Sequence, residues 1–142
     1  METMVATHAD AFRGTRTAGF WLALAIAALQ GLNAVRALID PQGFATYMGL
    51  PVDEPSALAW VQVYGLRAGF IALLTAVLLA RGDFAALRWM ALAALVMPLG
   101  DAWLAASAGA GAAIVGRHLA IAVVLLVASH FLGRAARAQR SA

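Results

Sequence analysis

The stretch that decides the fold runs from residue 57 to residue 80 and reads ALAWVQVYGLRAGFIALLTAVLLA. Its single charged residue is Arg67, and the rest is dominated by Ala, Leu, Val and aromatic side chains. An α-helix needs about 20 such residues to cross the ~30 Å hydrocarbon core of a bilayer. We therefore predict that this stretch is a transmembrane helix.

Three further stretches have the same character, covering about Gly19–Leu38, Phe84–Ala105 and Ala112–Leu132. The 142-residue chain is 63% hydrophobic and 12% charged, with a mean hydropathy of +0.83. Soluble domains are about half apolar and about a quarter charged, and small ones have too little interior to bury such a surplus. The sequence therefore predicts an all-α fold, a four-helix integral membrane bundle.

A single transmembrane domain is expected over residues 19–133, with an outer interfacial loop at 40–56. A cytoplasmic lead at 1–18 precedes it and a basic cytoplasmic tail at 134–142 follows it. A cleaved signal peptide is the alternative for the first span. We favour a retained helix because the apolar run continues into Gln30 and Asn33 without a convincing cleavage site.

The arginines predict how the helices are oriented. They lie next to three segments that we place in the cytoplasm. Arg13 and Arg16 precede the first span, Arg81 and Arg88 flank the turn between the second and third spans, and Arg134, Arg137 and Arg140 follow the fourth. The two remaining loops carry no Lys or Arg. By the positive-inside rule both termini are cytoplasmic, as expected of a multi-pass protein of the cell membrane.

Prolines predict two local features. Pro41 and Pro51 bound an outer segment containing Tyr47, which we expect to include a short interfacial helix. Pro98, just before Asp101, removes a backbone hydrogen bond and so predicts a kink in the third span. Such a kink would open space beside Asp101; the alternative is that the proline is simply tolerated, as prolines are in membrane helices.

Polar side chains inside the spans are the candidate functional residues, because buried polar groups are costly in a bilayer and usually face the bundle interior. Each span brings at least one of them to the outer half of the membrane. For a bound ligand we expect contacts from Asn33, Arg36, Trp60, Tyr64, Arg67 and Trp103. For acid–base chemistry the candidates are Asp101 and His118.

Structural roles compete with these functional ones. Asp101 could form an ion pair with Arg36 or Arg67 that locks the bundle, and Arg36 could extend to the interface. Arg117 points roughly 100° away from His118 on the helix, which favours an interfacial position. Gly65 and Gly69 form a small-residue pair suited to close helix packing or to a homo-oligomer contact.

Several function classes are excluded by composition. The chain has no cysteine, so disulfides and thiolate chemistry are impossible. It has no hydrolase, metalloprotease or phosphate-loop motif, so we assign no cofactor and no metal site. Its arginines form no basic stripe with interleaved aromatics, which argues against nucleic-acid binding.

The chain resembles the membrane family called domain of unknown function 4267 and, more distantly, the small DoxX-like four-helix membrane proteins. The resemblance covers about residues 19 to 133. The segments that carry it are Asn33-x-x-Arg36, Pro41, Gly49-Leu50-Pro51, Tyr64-Gly65-Leu66-Arg67-Ala68, Pro98-Leu99-Gly100-Asp101 and His118. It implies the four-helix fold but no particular activity. Members often carry an acidic residue directly after the second-helix arginine, where this chain has Ala68.

Three functions are compatible with these features. The first is a protein that binds a small lipophilic molecule in an outer pocket, with membrane lipid as its surroundings. The second is a cofactor-independent isomerase, cyclase or epoxide-opening enzyme that uses Asp101 and His118 as acid and base. The third is a structural or assembly subunit of a membrane complex. A fully paired polar cluster with no cavity would favour the third.

Overall fold

A computed structural model describes residues 17–141, which form helices and no strand. In chain order the helices are α1 (Ala18–Ile39), α2 (Pro41–Met48), α3 (Pro55–Ala80), α4 (Phe84–Ala93), α5 (Val96–Ser107) and α6 (Ala112–Arg140). Of the predicted lead only Thr17 and Ala18 are described. Arg13 and Arg16, on which the predicted orientation partly rests, lie outside the described residues.

Four helical segments are long and apolar enough to cross a membrane. They are α1, α3, α4 together with α5, and α6. The predicted all-α four-helix membrane bundle is thereby confirmed, and the protein is a multi-pass membrane protein. The last helix is longer than expected, because α6 continues to Arg140 through most of the segment assigned to the tail.

Side-chain caps set the start of three helices. Thr17 Oγ1 accepts the Phe20 N–H at the start of α1, and Asp83 Oδ1 accepts the Ala86 N–H at the start of α4. Asp40 ends α1 and caps α2 by accepting the Gly43 N–H at 2.9 Å. These bonds satisfy N–H groups that a helix start leaves without an intrahelical partner.

The predicted short helix between Pro41 and Pro51 is confirmed as α2. Gly49 ends it with φ +85°, a left-handed conformation that glycine adopts without steric cost. The N–H groups of Gly49 and Leu50 then bond back to the carbonyls of Thr46 and Ala45. This closing pattern leaves the carbonyls of Tyr47 and Met48 in need of other donors.

The third span is interrupted at Ala94 and Leu95, one turn before Pro98, as predicted. Since Pro98 has no N–H, the Ala94 carbonyl accepts instead from Met97, a three-residue bond at 3.1 Å. The span is therefore built from two shorter helices, α4 and α5.

The helices pack most closely around α1 and α6. α3 lies along α1, while α6 packs against α1, α4 and α5. We call the end of the bundle that carries α2 the α2 end, and the end with the Arg81–Asp83 turn the turn end. The main apolar core lies toward the turn end and includes Leu79, Phe84, Leu87, Leu125 and Leu132. α3 and α5 pack against each other only marginally, which leaves space toward the α2 end.

Candidate functional site

A cavity of about 270 Å³ lies between the four spans. Most of its wall is apolar and comes from residues along every span, including Ala23, Ile26, Ile71, Met90, Ala94, Met97, Ile121 and Val124. The interruption in the third span contributes directly, since Ala94, Met97 and Pro98 all line this space. Residues of the interruption therefore line the same cavity as Asp101.

The polar part of the wall is contributed by Gln30, Asn33, Tyr47, Tyr64, Thr75, Asp101, Arg117 and His118. Of the residues predicted from sequence, Asn33, Tyr64, Asp101 and His118 are brought together here. Except for Thr75, the polar groups belong to the halves of their spans nearer α2, or to α2 itself. The cavity is therefore apolar along its length and polar toward the α2 end.

His118 is held in one orientation by α2. Its side chain is only 2% exposed, and its Nε2 lies 3.2 Å from the Met48 carbonyl oxygen. A carbonyl can only accept, so Nε2 must carry the proton of this bond. In neutral His118 the other ring nitrogen, Nδ1, is therefore an unprotonated acceptor, and the residue lines the cavity.

Arg117 binds the carbonyl of Tyr47, the residue before Met48. Its guanidinium donates a hydrogen bond to the Tyr47 carbonyl oxygen and lies over the Tyr47 ring, with Cζ 3.7 Å from the ring centre. Arg117 and His118 thus satisfy the two carbonyls that the turn after α2 leaves open. Basic side chains are favoured at a helix C-terminus by its partial negative charge. Two consecutive residues of α6 therefore fix α2 over the cavity.

Arg36 reaches the same tyrosine from α1. Its Cζ lies 4.6 Å from the centre of the Tyr47 ring, although its side chain is largely exposed. Arg36 is not part of the cavity wall. It contributes to the site through Tyr47, which does line the cavity.

Asp101 lies on α5, half-buried, and lines the cavity. Within residues 17–141 its carboxylate makes no hydrogen bond and no ion pair with the protein. Its charge interacts with His118 and with Tyr64. The ion pair considered with Arg36 or Arg67 is absent from this structure, because Arg36 stacks on Tyr47 and Arg67 points away from the cavity.

Besides Arg36, three of the predicted ligand contacts do not line the cavity. Trp60 and Trp103 are 71% and 69% exposed, and Arg67 is also exposed. On α3 the cavity face is defined by Tyr64, Ile71 and Thr75. Trp60 and Arg67 are rotated to the side of that face, so the structure leaves them on the outer surface of the bundle.

Gly65 and Gly69 pack inside the chain. A Cβ atom at Gly65 would lie 3.0 Å from the Ala37 Cβ and 3.2 Å from the Ala34 carbonyl oxygen. This pair therefore allows α1 and α3 to approach closely. Of the two roles predicted for this pair, close helix packing is the one that the structure shows, and a homo-oligomer contact stays a prediction.

Sequence reasoning missed Arg117 and Tyr47 as residues of the site. Arg117 was placed at the interface because it points away from His118, yet both side chains reach α2. A sequence feature that could have indicated them is the end of the predicted short helix at Gly49. The last carbonyls of a helix need hydrogen-bond donors, and the backbone after Gly49 supplies only some of them.

A sequence model of the family described as "Domain of unknown function (DUF4267)" matches residues 25–132. The chain belongs to this family. The match spans α1 to most of α6 and so includes every residue of the polar cavity wall. No curated protein and no solved structure matches the chain. The more distant DoxX-like resemblance stays a prediction.

Within this DUF4267 member, Ala68 occupies the position where the resemblance implies an acidic residue. Ala68 is 3% exposed and lies on the same face of α3 as Tyr64, Ile71 and Thr75. A carboxylate at this position would face the interior of the bundle. In this chain Asp101, on α5, is the carboxylate that lines the cavity.

Proposed function

We propose that this protein binds a small lipophilic molecule whose polar group lies at the α2 end of the cavity. One observation carries the proposal: a cavity that is apolar along its length and polar toward one end. Ligand sites are typically apolar with a few convergent polar groups. Such a site suits an amphiphile that partitions from the surrounding lipid.

The polar groups of the cavity wall define which hydrogen bonds a ligand could form at the α2 end. Asp101 has no protein partner among residues 17–141, and His118 Nδ1 is not the nitrogen bound to Met48. Both are acceptors when Asp101 is ionised and His118 is neutral. A hydroxyl or other donor on the ligand would therefore be bound between them, while Tyr64 offers a hydroxyl that both donates and accepts.

Cavity volume limits the size of the ligand. Pockets for small molecules usually measure about 300–1,000 Å³, so this cavity of about 270 Å³ is near the lower limit. An apolar cavity of about 150 Å³ accommodates benzene. A ligand about twice the size of benzene, such as a short-chain or terpenoid amphiphile, fits this space better than a whole phospholipid.

The arginine distribution supports the cell membrane, with the turn end on the cytoplasmic side. Arg81, Arg88, Arg134, Arg137 and Arg140 all lie in segments at the turn end. By the positive-inside rule this end is cytoplasmic. The polar end of the cavity would then face the outer leaflet.

A second candidate is an enzyme acting on the bound molecule. It is favoured by one observation, namely that Asp101 and His118 line the same cavity and are electrostatic neighbours. Proton transfer between two such groups suits an isomerisation, cyclisation or epoxide opening without a cofactor. For an isomerase, deuterium should enter the bound molecule in heavy water with wild-type protein and not with Asp101→Asn. Equal incorporation in both proteins would exclude that role.

The structural-subunit alternative is less well supported. It is favoured by a polar cluster that is fully paired and has no cavity. In the described chain the cluster borders a cavity and includes a carboxylate without a protein partner.

The experiment that tests ligand binding is mass spectrometry of small molecules that co-purify in mild detergent. Ala94 lines the cavity, whereas the adjacent Ala93 is exposed on the outer surface. Ala94→Phe should therefore fill the cavity, and Ala93→Phe is its matched control. We expect a defined amphiphile with wild type and Ala93→Phe, reduced several-fold with Ala94→Phe. Bulk lipid alone, in equal amounts in all three proteins, would contradict the proposal.

A further inference from the structure

Two arginines converge on one aromatic ring beside the cavity. The guanidinium carbons of Arg117 and Arg36 lie 3.7 Å and 4.6 Å from the centre of the Tyr47 ring. Stacking on an aromatic ring stabilises a cation and leaves the edge of the planar guanidinium free to donate hydrogen bonds. Both guanidinium groups are therefore held beside the same ring, where α2 covers the cavity.

These two charges are not neutralised by the protein. Throughout residues 17–141 neither arginine forms an ion pair with a carboxylate. The Arg117 guanidinium donates to the Tyr47 carbonyl, and the Arg36 guanidinium makes no hydrogen bond in the described chain. A guanidinium has five N–H donors, so most of the donors in this pair are unused.

The nearby carboxylates do not pair with these arginines. Asp101 forms no ion pair with Arg36 or Arg117 in the described chain, and its charge interacts with His118 and Tyr64. Asp40 follows Arg36 by one turn, but it caps the Gly43 N–H. Asp53 accepts a hydrogen bond from Gln42. Two positive charges placed close together repel each other unless an anion lies between them.

We infer that Arg36 and Arg117 bind an oxyanion on the head of the ligand, so that the ligand is an anionic amphiphile with a carboxylate or phosphate group. This inference rests on the proposed function, because the apolar part of the molecule is assigned to the cavity below Tyr47. Arginine suits this task, since its fork of donors matches the two oxygens of a carboxylate or phosphate. Tyr47 and Arg117 line the cavity, so the head group and the tail belong to one continuous site.

The capping of α2 makes this assignment electrostatically consistent. A free helix C-terminus carries partial negative charge and would repel an anion. Here the last carbonyls of α2 are bonded by Arg117, by His118 and by two backbone N–H groups. The anion therefore meets guanidinium edges rather than open carbonyls.

The test is a chain-matched series of ligands assayed by thermal unfolding in detergent. Decanoate, decyl phosphate and 1-decanol share one tail and differ in head-group charge, while inorganic phosphate supplies the anion alone. Ligands that bind only the folded protein raise its Tm in a concentration-dependent way. We expect the two anionic amphiphiles to act at about tenfold lower concentration than 1-decanol, as a single charge-assisted hydrogen bond would produce.

The variants separate the head-group site from the cavity. Arg36→Gln removes a side chain that makes no hydrogen bond in the described chain, so it should abolish the preference for anionic heads without disturbing the fold. Arg117→Gln should abolish it too, although it also removes a bond to α2. Arg81→Gln, at the turn end, should keep the wild-type preference. Ala94→Phe should reduce the response to all three ten-carbon ligands.

The other possible results distinguish failure of the anionic head-group inference from failure of the proposed lipophile binding. Equal responses to all three ten-carbon ligands in wild type would overturn the anionic head group and leave the lipophile site intact. A response to inorganic phosphate equal to that for decyl phosphate would also overturn it, because the site would then take free anions. No response to any ten-carbon ligand would overturn the proposed function itself and this inference with it.

Discussion

The two ring nitrogens of His118 have different surroundings. Nε2 donates to the Met48 carbonyl and so helps to fix α2, while Nδ1 makes no hydrogen bond to the described protein. Structural and functional roles were alternatives for this residue from sequence alone. In the structure one imidazole is available for both, because the first role uses only one of its two nitrogens.

Replacing His118 should therefore destabilise the fold. His118→Ala leaves the Met48 carbonyl without its donor, and an unsatisfied buried polar group costs about 1–3 kcal/mol. We expect a clear fall in Tm in detergent. His130→Ala is the control, because His130 is exposed and its one contact is with the ring of the adjacent Phe131. Equal Tm values for the two variants would contradict the capping role.

Replacing Asp101, in contrast, should leave the thermal stability of the protein nearly unchanged. No ion pair in the described chain depends on it, and Asp101→Asn removes a charge from a half-buried site. We expect the free energy of unfolding to change by no more than about 0.5 kcal/mol, or to rise. Retention of the co-purifying ligand should nevertheless fall. A large loss of thermal stability would instead reveal a charged partner.

The helical elements were largely predictable from sequence. The four spans follow from long apolar runs, α2 from its flanking prolines, and the interruption of the third span from Pro98. Each of these features depends on local chain chemistry: hydrophobic length, a fixed φ or a missing N–H. The docking of α2 by Arg117 and His118 was not predicted, since it joins residues 70 positions apart in sequence.

The direction of individual side chains was less predictable. Helical periodicity gives relative angles, so it correctly groups Trp60 with Arg67 on α3. It does not say which side of a helix faces inward when all sides are apolar, as in a membrane span. Trp60, Arg67 and Trp103 were therefore assigned to the cavity, although the structure leaves them on the outer surface.

The docking of α2 can be tested at Gly49. A Cβ there would lie 2.7 Å from the Ile114 Cγ2, in addition to the strain of its φ of +85°. Gly109 has a similar φ of +78° but no atom within 4 Å of a built Cβ. We expect Gly49→Ala to lower Tm further than Gly109→Ala, because only the first variant displaces α2 from α6. Equal losses would show that backbone strain alone accounts for the effect.

For the molecule as a whole, the absence of cysteine makes topology directly measurable. Asp53 lies in the exposed loop after α2, and Ser141 follows α6 at the turn end. With a membrane-impermeant maleimide, Asp53→Cys should be labelled in intact cells and Ser141→Cys only after lysis. The reverse pattern would invert the proposed orientation and place the polar end of the cavity in the cytoplasmic leaflet.

The whole molecule joins a packed apolar core at the turn end to an open cavity under α2. The core cluster around Phe84 and Leu132 holds the spans together where they are closest. Toward α2, the third span is interrupted and α3 and α5 make only marginal contact, and the cavity lies between the spans there. The apolar core thus lies toward one end of the bundle, and the proposed binding of the polar head group is assigned to the other.

Photolabelling is the most direct test of the cavity as a ligand site. A ten-carbon anionic amphiphile with a diazirine at its tail would be irradiated with the protein in lipid nanodiscs, and the labelled residues identified by peptide mass spectrometry. We predict labels on the cavity residues Met90, Met97 and Ile121, and their loss when unlabelled ligand is in excess. Labels spread over lipid-facing residues such as Leu66 and Leu126, and unaffected by competitor, would contradict the account.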